Sequence, residues 1–427
     1  MRRFLYIIVA LSTLVASCSK EEEGDLYSAS QTTLMYFMGT HLKSYYNSNI
    51  SDIEEAIVNG ALGKNGAFYY CLPDTSGGAT LYQVIKSGNE CESIEIKNYE
   101  TFESISRGSI TMVIEEVKSV ANLPEDEPLH QMNLIIGSHG MGWVLTDEDD
   151  TTSSQLVAGK KSTTNIDVEE FQSYLSNQDV VTRYLGLSNT TTTGANEGWM
   201  NIEDFRLAIE DSNTRFGYII FDACLMSSIE VYYRLRNCSD YIVASPCEIM
   251  GKGFPYDSVV PFLFTNDGEN YDLVGVCEAY YNYYAYSTEV SKNSGAIAMC
   301  VTSELKKLAL IVGGLHLREA TSSELANIQC YERYTNHLFF DLGEYITTFG
   351  DGDTEALAIF EEQFDLAFPE ECRLHTPTFY SNLGGSGTSD INYYSGVTTS
   401  EPSSNTYSSG WELEPWAIDA SRTSEAN

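Results

Sequence analysis

Met132-Asn133-Leu134-Ile135-Ile136-Gly137-Ser138-His139-Gly140 and Phe216-Gly217-Tyr218-Ile219-Ile220-Phe221-Asp222-Ala223-Cys224 decide how this chain is read. Each is an apolar run of strand length that stops abruptly at a reactive side chain. A short continuous apolar run is the pattern of a strand buried on both faces, as in a parallel sheet. Working outward, Leu34–Met38, Gly66–Leu72 and Tyr241–Ser245 read as further buried strands, with strand pieces at Thr80–Ser87 and Ser93–Lys97. Between them, Ile50–Leu62, Ser109–Val120, Asn201–Glu210 and Leu225–Arg236 carry helical periodicity. In Ser109–Val120 the apolar positions 110, 113, 114 and 117 form one stripe. Alternating β and α units of this kind predict an α/β fold, a mostly parallel sheet with helices on both faces.

Three stretches break the pattern. Residues 146–198 form a long polar excursion, opening with Asp147-Glu148-Asp149-Asp150 and holding Lys160-Lys161, expected as an exposed loop or flap. Beyond about 265 the pattern turns mostly helical, with a Tyr-rich helix at Cys277–Tyr286 and a strand at Gly295–Val301. From about Thr376 the chain is rich in Ser, Gly and Tyr. Residues 32–265 are therefore expected as the main domain, and 266–427 as an appended α+β region.

Functional groups in open α/β sheets gather beyond the carboxyl ends of the strands. If the two quoted strands are neighbours, an imidazole and a thiol face each other across the sheet edge. The thiolate is the nucleophile, and a free Cys has a pKa of about 8.5. Cys224 is expected at the start of a helix, whose positive dipole end would favour the anion. His139 would stabilise it and protonate a leaving amine. Gly140 has no side chain, so its N–H can approach a substrate carbonyl and, with the N–H of Cys224, form an oxyanion hole. Such a hole is worth roughly 3–4 kcal/mol of barrier.

Strand-His-Gly followed by strand-Asp-Ala-Cys resembles the caspase-like cysteine peptidase clan. Leu134–Trp143 and Phe221–Met226, continued through Glu230-Val231-Tyr232, Asp240–Ser245 and Gly251–Tyr256, are similar to the clostripain family. The resemblance implies a caspase-like α/β/α sandwich and an endopeptidase acting on peptides or proteins through a Cys224/His139 dyad. It also implies that Asp222 shapes the primary pocket. Family members that cut after Arg or Lys usually carry acids in the loop that here reads Ser245-Pro246-Cys247-Glu248-Ile249-Met250-Gly251-Lys252-Gly253. A Lys252 in the pocket would repel a basic P1 side chain, unless Glu248 and Asp222 compensate, and would otherwise favour an acidic or polar one. Several members are activated by a cut between His and Cys, and Lys160-Lys161 lies in that interval.

The N-terminus addresses location. Arg2-Arg3 precedes the apolar run Phe4–Val15, too short for a bilayer span of about 20 residues and matched to a secretory signal. Leu14-Val15-Ala16-Ser17-Cys18 resembles a lipobox, which would make Cys18 the lipidated first residue, with 19–31 a polar tether. Ser19-Lys20-Glu21-Glu22-Glu23 is similar to surface-export signals of Bacteroidetes lipoproteins, and the outer face of the outer membrane is the expected site. A net charge of −37 excludes nucleic-acid and anionic-lipid binding surfaces, which need basic patches. Contact with the membrane would run through the lipid alone.

No cofactor is expected. The nine cysteines besides Cys18 show no CxxC spacing, and His41, His130, His316, His337 and His375 show no metal-ligand spacing. Asp147–Asp150 lacks the Gly and distal Glu of an EF-hand, leaving only a marginal case for calcium. The rival to a peptidase is a catalytically silent surface lipoprotein that binds peptide, protein or, through some of the 29 Tyr, glycan.

Overall fold

The computed structural model describes residues 30–123, 132–143, 200–288, 292–350, 354–404 and 411–420. The signal segment, Cys18 and the 146–198 excursion with Lys160, Lys161 and Asp147–Asp150 lie outside them, as does His130.

The apolar runs become strands β1 (Gln31–Phe37), β2 (Gly66–Pro73), β5 (Met132–Gly137), β6 (Phe216–Asp222) and β7 (Ser239–Ala244). β1, β5 and β6 are buried along their whole length. They build a nine-stranded sheet together with β3 (Ala79–Ser87), β4 (Glu90–Tyr99), β8 (Ala296–Val301) and β9 (Leu374–His375), in the order β9-β8-β7-β6-β5-β1-β2-β3-β4. The five strands from β2 to β7 through β1 run parallel, and antiparallel strands finish both edges. From β1 the chain builds β2 on one side and β5 on the other. The strand order therefore reverses between β1 and β5, the kind of switch point where α/β sheets place their sites.

Helices flank this sheet. α1 (Lys43–Val58) packs with α5 (Tyr256–Leu263), and α5 with α6 (Leu273–Tyr286). α2 (Arg107–Val120) packs with α3 (Ile202–Asp211), and α3 with α4 (Ile229–Leu235). The stripe in α2 is buried as expected, at Ile110, Val113, Ile114 and Val117. Its start is set by Ser106, whose hydroxyl accepts the Ser109 N–H at 3.1 Å, satisfying one of the orphan donors of the first turn. Asn201 caps α3 in the same way, accepting from Asp204 at 2.8 Å.

The chain beyond 265 also joins the sheet: β8 pairs antiparallel with β7 and β9 with β8, and both pack into the main core. Its strand character was visible, but its partner was not. The helix expected at Leu225–Arg236 begins only at Ile229, because Leu225 takes a left-handed φ of 60° that no helix accommodates.

The tail is tied to α4 by charge. Arg234 donates to Glu203 at 2.6 Å and to Glu414 at 2.8 Å, while Glu230 accepts from Thr399, Ser400 and the Trp411 indole. One guanidinium thus serves two carboxylates with a third close by. Burial pushes the Glu414 carboxyl up to about 7; Arg234 opposes the shift and Glu230 and Glu203 add to it. The ordinary value is 4.5, so the folded chain holds this proton more tightly than the unfolded one. The stability it provides is complete below about pH 4.5 and is lost as the pH rises through 7. Glu414→Gln, which mimics the protonated acid, should remove that share of the slope. Thermal midpoints of both chains between those pH values will show their difference shrinking towards the acid end.

Candidate active site

β5 and β6 lie side by side in a parallel register that sets Gly137 opposite Asp222. His139 and Cys224 each stand two residues further on, so they leave the sheet at the same height. The Ser138 N–H bonds the Asp222 carbonyl at 3.3 Å, carrying the pairing one step past the strands. The loops then touch. A Cβ on Gly140 would collide with the carbonyl oxygen of Cys224 and stand 3.1 Å from its nitrogen. No larger residue fits, which is why glycine follows His139, and it brings the two amides of the expected oxyanion hole together.

Each loop is braced from the C-terminal part of the chain. Trp143 donates to Ser400 at 2.9 Å, and Gly142, at φ +63°, packs its backbone on the Phe339 ring. On the other side, Leu225 donates to Cys247 at 3.1 Å and Ser227 to Ser245 at 3.0 Å. The Ser227 hydroxyl reaches Gly396 at 2.6 Å, and Thr398 returns to the Ser227 carbonyl at 2.9 Å. These bonds hold the strained Leu225 backbone directly behind the thiol, a position where strain persists only because the surroundings over-determine it.

Because α4 starts five residues after Cys224, its dipole does not supply the expected anion stabilisation, which fades within the first turn. A backbone amide from the 245–253 loop reaches the sulfur instead. Ile249 N–H points at Cys224 Sγ at 3.2 Å, and the thiol lies 3.7 Å from the Ile249 carbonyl. An N–H aimed at sulfur favours the thiolate in the same sense as the helix end would have done. The site is closed from solvent: Cys224 is 0% and His139 3% exposed.

The pocket candidates separate. Asp222 is buried and its Oδ2 accepts the Tyr256 hydroxyl at 2.9 Å. Glu248 is also buried, but its Oε1 accepts Ser381 Oγ at 2.5 Å, Asn382 N–H at 2.6 Å and Leu383 N–H at 3.1 Å. That oxygen anchors the 381–383 turn. Lys252 Nζ lies 2.6 Å from Asp52 Oδ2 and 3.4 Å from Ser48 Oγ, both on α1. Burial works against its ammonium, and Asp52 more than offsets this, so the pKa is raised.

α1 and the loop before it are the part that sequence reading missed. The His41 ring lies beside His139, with 6.5 Å between centroids, and the Tyr45 ring packs against Gly251. Asn49 donates to the Lys252 carbonyl at 2.8 Å. The one available signal was position: these residues follow β1, whose Phe37 is in register with Gly137.

The clostripain family model matches residues 173–393, more than half of the chain and including Cys224. The chain belongs to the clostripain family. It is a cysteine-type peptidase with the caspase-like α/β arrangement, and among curated proteins none matches it. A secreted C11 cysteine protease from Bacteroides thetaiotaomicron, "iotapain", is 26% identical with a TM-score of 0.72, over 91% of this chain and 99% of that one. A second structure of a secreted C11 cysteine protease from that organism, in complex with an irreversible peptide inhibitor, is 23% identical with a TM-score of 0.71, over 91% and 98%. An inactive zymogen C11 protease from Parabacteroides distasonis is 24% identical with a TM-score of 0.68, over 92% and 98%. The last two are similar in fold.

The Gly140 contact yields a sharp test in this peptidase. Gly140→Ala must push the His139 loop away from Cys224, and displacements of about 1 Å at a reacting pair cost on the order of 100-fold in rate. Peptide hydrolysis should fall by at least that factor, with a stability loss of about 1–3 kcal/mol from overpacking in chemical denaturation.

Proposed function

We propose that this peptidase is an endopeptidase of the exported fraction of the cell, cleaving peptides or proteins through a dyad of Cys224 and His139. The observation that carries it is the β5–β6 register, Gly137 opposite Asp222, with Gly140 seated on the Cys224 backbone. In the reaction, His139 takes the Cys224 proton and the thiolate attacks the scissile carbonyl. Gly140 and Cys224 N–H groups receive the oxyanion, and His139 protonates the departing amine. Water then attacks the thioester, His139 acting as base, and releases the acid and the free thiol. Ile249 N–H holds the sulfur between turnovers.

For the pocket we propose that basic P1 side chains are accepted. Lys252 is neutralised by Asp52, so the repulsion expected of an unpaired lysine is largely cancelled. Glu248 serves as a brace for this wall rather than as a contact. The closed dyad further supports a precursor in which a cut at Lys160-Lys161 precedes activity. Lipidation at Cys18 and display at the outer membrane complete the proposal, in keeping with the secreted relative.

The test takes the chain from Ser19 onward, intact and after limited cleavage near Lys161, with a mixed peptide library and a Cys224→Ala control. Cleavage by the nicked parent and none by the control is expected. Activity retained in Cys224→Ala would refute the dyad. Asp52→Asn, which strips Lys252 of its counter-charge, should lower kcat/KM for Lys and Arg at P1 by about 10-fold or more and raise it for acidic P1. An unchanged P1 profile would remove both residues from the pocket.

A further inference from the structure

A second chemical cluster stands apart from the dyad and does not depend on its assignment. Cys330 Sγ, a Glu332 carboxylate oxygen and a His337 ring nitrogen all lie within 4.8 Å of one another. No spacing rule flagged them; the turn of chain between Gln329 and Asp341 brings them together. That turn is held by the Asp341 N–H to Gln329 carbonyl bond at 2.8 Å, by Tyr331 to Phe339 at 3.3 Å, and by the Cys330–Phe340 bridge. All three side chains line a cleft of about 460 Å³, with Arg333, Glu344 and Tyr393 around them.

The hydrogen bonding shows where a cation would go. Glu332 is 2% exposed, and its Oε1 accepts the N–H groups of Leu338 at 2.7 Å and Phe339 at 3.2 Å. Its Oε2 accepts Tyr334 N–H at 3.0 Å and faces His337 Nδ1 at 3.1 Å. The carboxylate is thus oriented by backbone amides, as outer contacts orient metal-binding carboxylates. Only the His337 edge of Oε2 is met by a group that is itself a metal ligand. Cys330 Sγ lies 3.8 Å from the Glu332 carbonyl, its thiol pushed up by burial and then by the Glu332 charge. Zinc bonds of about 2.0–2.1 Å to N and O, arranged tetrahedrally, require an N···O separation of about 3.3–3.4 Å. The 3.1 Å seen here needs an opening of a few tenths of an ångström.

We infer that Cys330 Sγ, His337 Nδ1 and Glu332 Oε2 form a binding site for a borderline-soft divalent cation of the zinc class, with water from the cleft as fourth ligand. Thiolate, imidazole and carboxylate together match zinc, whereas calcium and magnesium take oxygen ligands. Metal ligation takes the imidazole neutral and the Cys330 thiol without its proton, so the affinity falls as pH is lowered. The cation would pin the hairpin carrying Leu338 and Phe339. Leu338 meets the dyad loop through Ser400, which accepts from Trp143, and Phe339 meets it at Gly142.

The experiment uses the Cys224→Ala chain, so that the catalytic thiol cannot compete, stripped with chelator and titrated with zinc by calorimetry and with cobalt by absorption. One zinc per chain, a rise in thermal midpoint with zinc and a sulfur-to-cobalt charge-transfer band are expected. In the same background Cys330→Ser should abolish that band and weaken zinc at least 10-fold. His337→Gln should weaken zinc similarly and keep the band at saturating cobalt. Absence of zinc binding by the Cys224→Ala chain, or a band that survives Cys330→Ser, would overturn the inference. Should Cys330→Ser fail to fold, His337→Gln decides the matter, since unchanged zinc affinity in that variant would overturn the inference.

Discussion

The proposed dyad depends on one hydrogen-bonded register, the parallel pairing of Met132–Gly137 with Phe216–Asp222. In a sheet a shift of one residue turns every side chain to the opposite face. Such a shift would send either the imidazole or the thiol away from the other while leaving the strands equally apolar. The register is held by more than the ladder. Asn133, a buried amide inside β5, accepts the Tyr218 N–H at 3.2 Å, and Thr33 shares a 3.0 Å bond with the Tyr218 hydroxyl. Polar groups at the middle of three apolar strands specify alignment where hydrophobic packing alone would tolerate slippage.

Buried carboxylates do a second kind of alignment. The chain carries 61 acidic residues, most of them a solvated surface, yet Glu230, Glu248, Glu332 and Asp341 are buried and each gathers several donors. Glu230 collects Thr399, Ser400 and Trp411, Glu248 collects 381–383, and Asp341 takes Glu344 and Ser395 N–H groups with the Tyr331 hydroxyl. A buried charge left with fewer donors is costly, so each acid enforces one arrangement of the loops around it. Together they knit the C-terminal third to the loops after β5, β6 and β7.

The strand ends with His139, Gly140 and Cys224 were legible because local apolar pattern, strand length and a reactive terminus coincide within a few residues. The start of α4 was not. Leu225 to Arg236 looks helical by pattern, and the left-handed Leu225 is imposed by bonds to 245 and 247 that no local window contains. Lys252 stands out in its loop, but its partner Asp52 lies some 200 positions earlier, on a helix whose sequence shows only amphipathicity. The partners of Glu248 at 381–383 were likewise invisible from its own loop. Cys330 and His337 escaped notice as a pair because a turn, not a repeat of ligand spacing, joins them.

The bracing of the Cys224 turn also orders events in time. The Cys224 turn is tied to Gly396 and Thr398, and the helix behind it to Ser400 and Trp411. Synthesis delivers these residues long after the thiol itself. Until they arrive, the chain holds His139 and Cys224 without the contacts that fix the loops around them. A centre built this way assembles only after the segment carrying Gly396 to Trp411 has been made.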